Sequence, residues 1–154
     1  MQKVEIIEFD PIYKKEIYDF VMEIKVNELG WKSDATDLLE IEKIYLLGNG
    51  NFWIALDSNR VVGTIALEDK GEKTGYLQRM YLAKEYRGTG LAQKLLNNLL
   101  EFAKNRNLKE IFLGTTPVAK RAIRFYEKSG FERILHLPEK FKDDTNDVFF
   151  KIKL

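Results

Sequence analysis

The most constraining stretch of this chain is Tyr76–Leu113, where a β-rich run, a glycine-bearing turn, a long amphipathic helix and a second β-rich run follow one another without a break. Tyr76-Leu77-Gln78-Arg79-Met80-Tyr81-Leu82 reads as a strand, and from Gly90 onward Leu91, Leu95, Leu96, Leu99, Leu100 and Ala103 recur at helical spacing until Asn105-Arg106-Asn107. Glu110-Ile111-Phe112-Leu113 is the next strand. A strand–helix–strand segment of this length is a crossover unit, so the runs at 76–82 and 110–114 are expected to lie parallel.

The rest of the chain must complete a sheet around that unit. Val4 and Ile6 alternate with charged neighbours in a first strand over residues 3–9, which Asp10-Pro11 stops. Pro11 opens a helix through Ile17, Phe20, Val21 and Ile24 with Asp10 as its cap. Leu38, Leu39, Ile41, Ile44 and Tyr45 predict a second helix after Ser33-Asp34, ended by Gly48-Asn49-Gly50. Residues 52–56 and 61–67 form a hairpin over Asp57-Ser58-Asn59-Arg60, and with 76–82 they make a three-stranded meander. Thr116 and Pro117 are expected to start a helix whose inner face carries Ala122, Ile123 and Tyr126 and which stops at Gly130, and residues 131–135 and 148–152 close the chain as strands.

Composition narrows the chemistry. The 154 residues fit one domain, 1–154, with no repeat or linker dividing it. A formal charge of +1 argues against nucleic acid and anionic membranes as partners, so any anion site must be local. The absence of Cys removes disulfides and thiol nucleophiles, and the single His136 cannot build a His-rich metal cluster, so no metal is expected. An acid-bearing, alternating N-terminus and the lack of a long apolar run make a cytoplasmic location the expectation.

The chemistry-bearing segment is Arg87-Gly88-Thr89-Gly90-Leu91-Ala92. Glycines let the backbone approach a ligand, and the first turn of the helix offers unpaired N–H groups at the positive end of its dipole. That suits a diphosphate, although a tight helix entry asks for the same glycines. No Gly-Lys-Ser/Thr follows, as a P-loop requires, and Gln93 stands where a dinucleotide fingerprint has its third glycine.

Arg87-x-x-Gly90-x-Ala92 after Leu77-Gln78-Arg79-Met80-Tyr81-Leu82, with Phe125-Tyr126-Glu127-Lys128-Ser129-Gly130-Phe131 some way downstream, resembles the GCN5-related N-acetyltransferase (GNAT) family over about residues 60–135. The resemblance implies an α/β (α+β) fold with a mixed, mainly antiparallel sheet of about six or seven strands, about four flanking helices and one splayed parallel pair. It implies transfer of an acetyl group from acetyl-CoA to a primary amine of a small molecule or peptide, in a monomer or homodimer. A non-catalytic acyl-CoA-binding module of the same fold is the alternative.

By that likeness the backbone of Arg87, Gly88, Thr89, Gly90, Leu91 and Ala92 binds the pyrophosphate, while Met80, Tyr81 and Leu82 hold the pantetheine arm as an added strand. The Met80 N–H matches the oxyanion donor and Tyr126 the general acid, though on spacing alone Tyr126 also reads as a core residue. Lys128, with Arg87, Lys120, Arg121 and Arg124, is placed to meet phosphates, each being equally at home on a solvated helix surface. The family's frequent Asn is replaced by Ala119, and its glutamate base by Tyr76.

Glu68 at the end of the 61–67 strand is then the first candidate for the base, a solvated hairpin-end acid being the other reading, and His136 is the second. Acceptor specificity is expected from the first two helices and the 136–147 loop, which carry Trp31, Tyr45, Phe52 and Phe141 and the acids Asp34, Asp37, Glu40, Glu42, Asp143 and Asp144.

Overall fold

A computed structural model describes residues 4–141 and 144–154. Seven strands form one sheet: β1 (Val4–Glu8), β2 (Asn51–Asp57), β3 (Arg60–Asp69), β4 (Thr74–Leu82), β5 (Glu110–Thr115), β6 (Glu132–Ile134) and β7 (Val148–Lys153). Their order is β1-β2-β3-β4-β5-β7-β6, and every neighbouring pair is antiparallel except β4 and β5. The mixed sheet with a single parallel pair is the architecture that the crossover unit demanded.

Among the described residues four helices cover it: α1 (Lys14–Asn27), α2 (Ile41–Ile44), α3 (Leu91–Asn105) and α4 (Lys120–Lys128). Strand β2 shows why both faces need cover, because Phe52, Ile54 and Leu56 pack with α1 and α2 while Trp53 and Ala55 pack with α3 and α4. Period-2 alternation with apolar residues on both sides is the signature of a strand buried in the middle of three layers. The α3 face built from Leu91, Leu95, Leu96, Leu99 and Ala103 closes the second core. No described helix is long and apolar enough to cross a membrane.

Two helix starts differ from expectation. Residues 36–45 do not form one helix: a 3-10 turn, Thr36–Leu39, breaks at Glu40 (φ −134°, ψ 44°) before α2. The cause is tertiary, since Asp37 is drawn to Arg79 of β4 and Tyr45 closes on the same carboxylate. The buried positions Leu38, Ile41 and Tyr45 keep the spacing that suggested a helix. Thr116 does not cap α4, because its carbonyl accepts Ala119 N–H at 3.0 Å in a separate turn and the helix proper begins at Lys120.

Leu95 is fully buried between α3 and the sheet. Leu95→Ala is expected to lower stability by about 3 kcal/mol through lost burial and the cavity left behind, read as a lower urea midpoint with an unchanged slope.

Candidate active site

The parallel pair parts almost as soon as it forms. Strands β4 and β5 are in register only at Thr74↔Glu110, Gly75↔Ile111 and Tyr76↔Phe112. Beyond that point β4 stays with β3 as far as Gly63↔Leu82, and β5 stays with β7 as far as Thr115↔Val148. The facing edges over 77–82 and 113–115 are therefore open to an extended ligand that can hydrogen-bond as a strand does. A cleft of about 800 Å³ occupies this opening.

A β-bulge helps to pull β4 away. Tyr81 pairs with Thr64 and Gln78 with Ala66, so Arg79 and Met80 together face the single residue Ile65. Arg79 takes φ 52°, the left-handed region that non-glycine residues seldom occupy. Three contacts hold it there. Its guanidinium donates from Nε to Asp37 Oδ2 at 3.0 Å and from Nη2 to Asp37 Oδ1 at 2.6 Å, and its carbonyl accepts Thr64 Oγ1 at 2.7 Å. The Tyr45 hydroxyl donates to the same Asp37 carboxylate at 2.5 Å. Burial alone would push the Asp37 carboxyl up, but the hydrogen bonds and charge of Arg79 and the Tyr45 hydroxyl outweigh it and hold the group below the usual carboxylate range.

The extra residue also resets side-chain parity. Leu77, Met80 and Leu82 all pack on the α3–α4 side, while Tyr81 packs on the α1–α2 side. Strict alternation from Leu77 would have sent Met80 and Leu82 to the wrong face.

At the far end of β4 the chain turns through Lys84–Tyr86 into the glycine segment. Gly88 (φ 78°) and Gly90 (φ 90°) both occupy the left-handed region, and a Cβ on either would meet open space. The glycines thus serve backbone conformation, with clear room above them for a ligand. Gly90 caps α3 without a side-chain bond, and no acid occupies the first turn, so its N–H groups remain available to an anion. Arg87 acts as a strut: Nε and Nη2 donate to the Leu82 carbonyl at 3.1 and 2.9 Å, and Nη1 meets Glu28 Oε1 of the α1 terminus at 2.6 Å.

On the opposite wall Tyr126 is 6% exposed and donates its hydroxyl to Met80 Sδ at 3.7 Å. Burial, reinforced by Tyr81, pushes its phenol well up, so the hydroxyl stays protonated at neutral pH. Lys120, Arg121, Arg124 and Lys128 of α4 also line the cleft, and none forms an ion pair among the described residues.

Of the residues singled out from sequence, Met80, Tyr81, Leu82, Arg87, Gly88, Gly90, Ala92, Tyr126 and Lys128 line this cleft. Thr89 and Leu91 do not; they face a smaller groove with Val4 and Ile6, and Leu91 belongs to the core. Glu68 does not line the cleft either; its carboxylate lies 3.4 Å from Lys70 Nζ. His136 is exposed on the segment after β6 and outside the cleft.

Among the acceptor-side residues, Trp31 lines the cleft, whereas Tyr45, Phe52 and Phe141 are core. Asp34 accepts Tyr18, Glu40 pairs with Lys43, and Glu42 pairs with Lys14. Asp143 lies outside the described residues. Sequence reasoning gave no role to Gln78, Glu28 or Asn146, which also line the cleft, nor a specific one to Asp144, which accepts the Tyr76 hydroxyl. No local spacing joins residues 68 positions apart.

Comparison with known proteins agrees with this geometry. Residues 15–131 match the Acetyltransferase (GNAT) family. The chain is 34% identical over 125 residues to N-acetylaspartate synthetase of Danio rerio, covering 77% of this chain and 44% of that protein. It is 33% identical over 103 residues to N-acetyltransferase 8F1 of Rattus norvegicus, covering 64% of this chain and 47% of that protein. The chain thus spans less than half the length of these curated relatives. A GNAT-family acetyltransferase structure from Staphylococcus aureus Mu50 superposes with TM-score 0.93 at 32% identity, covering 98% and 99% of the two chains. The Thermoplasma acidophilum PaiA N-acetyltransferase in complex with coenzyme A shares the fold, with TM-score 0.77, 21% identity and 99% of each chain covered.

The Asp37–Arg79 pair makes stability pH-dependent. A depressed carboxyl pKa stabilises above its unfolded value and loses that contribution as pH falls through its folded one. Asp37→Asn is therefore expected to cost about 2 kcal/mol above about pH 5, with the difference from wild type shrinking below about pH 4, read by denaturant unfolding across pH.

Proposed function

Because the chain belongs to the GNAT acetyltransferase family, we propose that it transfers an acetyl group from acetyl-CoA to a primary amine by direct attack, without an acyl-enzyme. The observation that carries this reading is the meeting, in one cleft, of the open β4–β5 edges, the glycine entry to α3 and the Tyr126 hydroxyl at Met80.

The residues fit acetyl-CoA: open space above Gly88 and Gly90 leaves the α3 N–H groups approachable, and four cations of α4 that form no ion pair among the described residues border the same cleft. The bound cofactor supplies an activated acetyl thioester. In this reading the edges of Met80 and Leu82 align the pantetheine amides, and the Met80 N–H stabilises the charge that grows on the thioester oxygen, a contribution typically of about 3 kcal/mol. Tyr126, kept protonated by burial, donates to the departing sulfur. The zero Cys count agrees with direct transfer.

Saturating acetyl-CoA, at about 100 times Kd, is expected to add about 2.7 kcal/mol, a rise in Tm of several degrees. Ala92→Glu, which sets bulk and negative charge beside the α3 N-terminus, should abolish that rise, and no rise in the wild type overturns the proposal. Tyr126→Phe should keep the rise while lowering kcat by about 100-fold, followed as free CoA released with small primary amines. A wild type that binds acetyl-CoA but releases no CoA with any amine would make the chain an acyl-CoA-binding module instead.

A further inference from the structure

On the acetyl-transfer reading, an alkylamine that is protonated at neutral pH must lose a proton before it can attack, and Glu68 does not reach the cleft. A different carboxylate, Asp144, is joined to the cleft wall through a lining side chain, Tyr76. Tyr76 is the last residue of β4 paired to β5, so it stands where the two strands part, and it lines the cleft. Its hydroxyl donates to Asp144, brought in by the segment before β7.

The aspartate is fixed independently of that bond. Asp144 Oδ1 accepts the Asn146 backbone N–H and its side-chain Nδ2, each at 2.7 Å. Gly114 of β5 is the floor: a Cβ there would run into the Asp144 carboxylate, so Gly at 114 is what lets the acid sit against the strand. The ring of Tyr76 is clamped by Phe141 at 5.0 Å and 65°. Two residues along β4, Gln78 also lines the cleft, and its Oε1 is buried with no partner among the described residues, a waiting acceptor for an N–H or a water.

We propose that Tyr76 and Asp144 form the relay that deprotonates the acceptor, and that the acceptor is an amine basic enough to need it. The ammonium gives one proton to the Tyr76 oxygen, directly or across one water, as the Tyr76 hydroxyl proton passes to Asp144. The nitrogen lone pair then forms the C–N bond and the C–S bond breaks. The second N–H proton ends on sulfur by way of Tyr126, so the products are the amide, the thiol and protonated Asp144. Tyr76 is the catalytic member and Asp144 the positioning one.

Other charges face Tyr76. Lys70 Nζ lies 5.6 Å from its ring centroid, Glu68 is its partner across β3–β4 and is paired with Lys70, and Arg79 is matched by Asp37. Desolvation first, then the bond to Asp144 and the charges of Asp144 and Glu68, push the phenol up, which keeps Tyr76 a donor to the aspartate.

The test compares two amines of nearly the same shape, ethylamine and 2,2,2-trifluoroethylamine, the second already unprotonated at neutral pH. Asp144→Asn keeps an oxygen for Asn146 but cannot take a proton, and Tyr76→Phe keeps the ring. Each is expected to lower kcat for ethylamine at pH 7 by about 100-fold, to change trifluoroethylamine turnover by less than about threefold, and to leave the acetyl-CoA-induced rise in Tm intact. The ethylamine deficit should shrink as pH rises toward the amine's own pKa. Gly114→Ala, which displaces the carboxylate without altering either relay residue, should show the same selectivity.

Equal losses for both amines, or no loss, would overturn the relay while wild-type turnover upholds acetyl transfer. A wild type that acetylates neither amine nor any other overturns the acetyl-transfer reading, and the relay falls with it.

Discussion

The ion pair between Arg79 and Asp37 is the contact on which the site depends. A non-glycine residue in the left-handed region costs on the order of 1 kcal/mol or more and persists only where its surroundings hold it. Here a two-point guanidinium–carboxylate bond, the Thr64 hydroxyl on the Arg79 carbonyl and the Tyr45 hydroxyl on the far side of Asp37 do so together. The bulge they hold shifts parity, so that Met80 and Leu82 join Leu77 against α3 and α4. It lies within the stretch where β4 has left β5, and the extra twist of a bulged strand favours that separation. The break of the expected second helix at Glu40 accompanies the same pair, since Asp37, inside the 3-10 turn before it, is tied to a strand.

The α3 end of the cleft is organised by a second arginine in a different way. Arg87 spends its donors on the Leu82 carbonyl and on Glu28, fastening the glycine segment to the end of β4 and to the α1 terminus. With that guanidinium committed, an anion at the loop would meet backbone N–H groups, and the cations lining the cleft without an ion pair among the described residues belong to α4. Acids near this region are met by cations: Glu28 by Arg87 and Asp37 by Arg79, each within 4.0 Å.

What was legible in the sequence was what repeats. The α3 leucines, the meander and the crossover unit follow from periodicity and length, and they place the parallel pair correctly. The glycine segment and Tyr126 stood out in the sequence because each belongs to a motif at or within a regular element, and Gly88, Gly90 and Tyr126 all line the cleft. The bulge was not legible, because Arg79 carries no local mark of positive φ and its partner lies 42 residues away. The surroundings of Glu68 were hidden in the same way: proximity along the hairpin suggested the cleft, while in the fold its carboxylate lies beside Lys70, two residues on, and outside the cleft lining.

Asp144 shows the other side of that limit. A carboxylate on the strand itself would be visible in the alternation of β4, whereas one delivered by a loop is visible only after the sheet has closed. Position 76 carries a phenol, which is large enough to pack against Phe112 and Phe141 and still present a hydroxyl to a neighbouring acid. Placing the charge on the loop keeps it off the interior of a central strand, where an isolated carboxylate is costly to bury. It also ties the acid to the segment before β7, which borders the cleft through Asn146. On the proposed reading the cleft-bordering loop thus also carries the group that takes the amine's proton, so that acceptor contact and deprotonation would rest on one short stretch of chain.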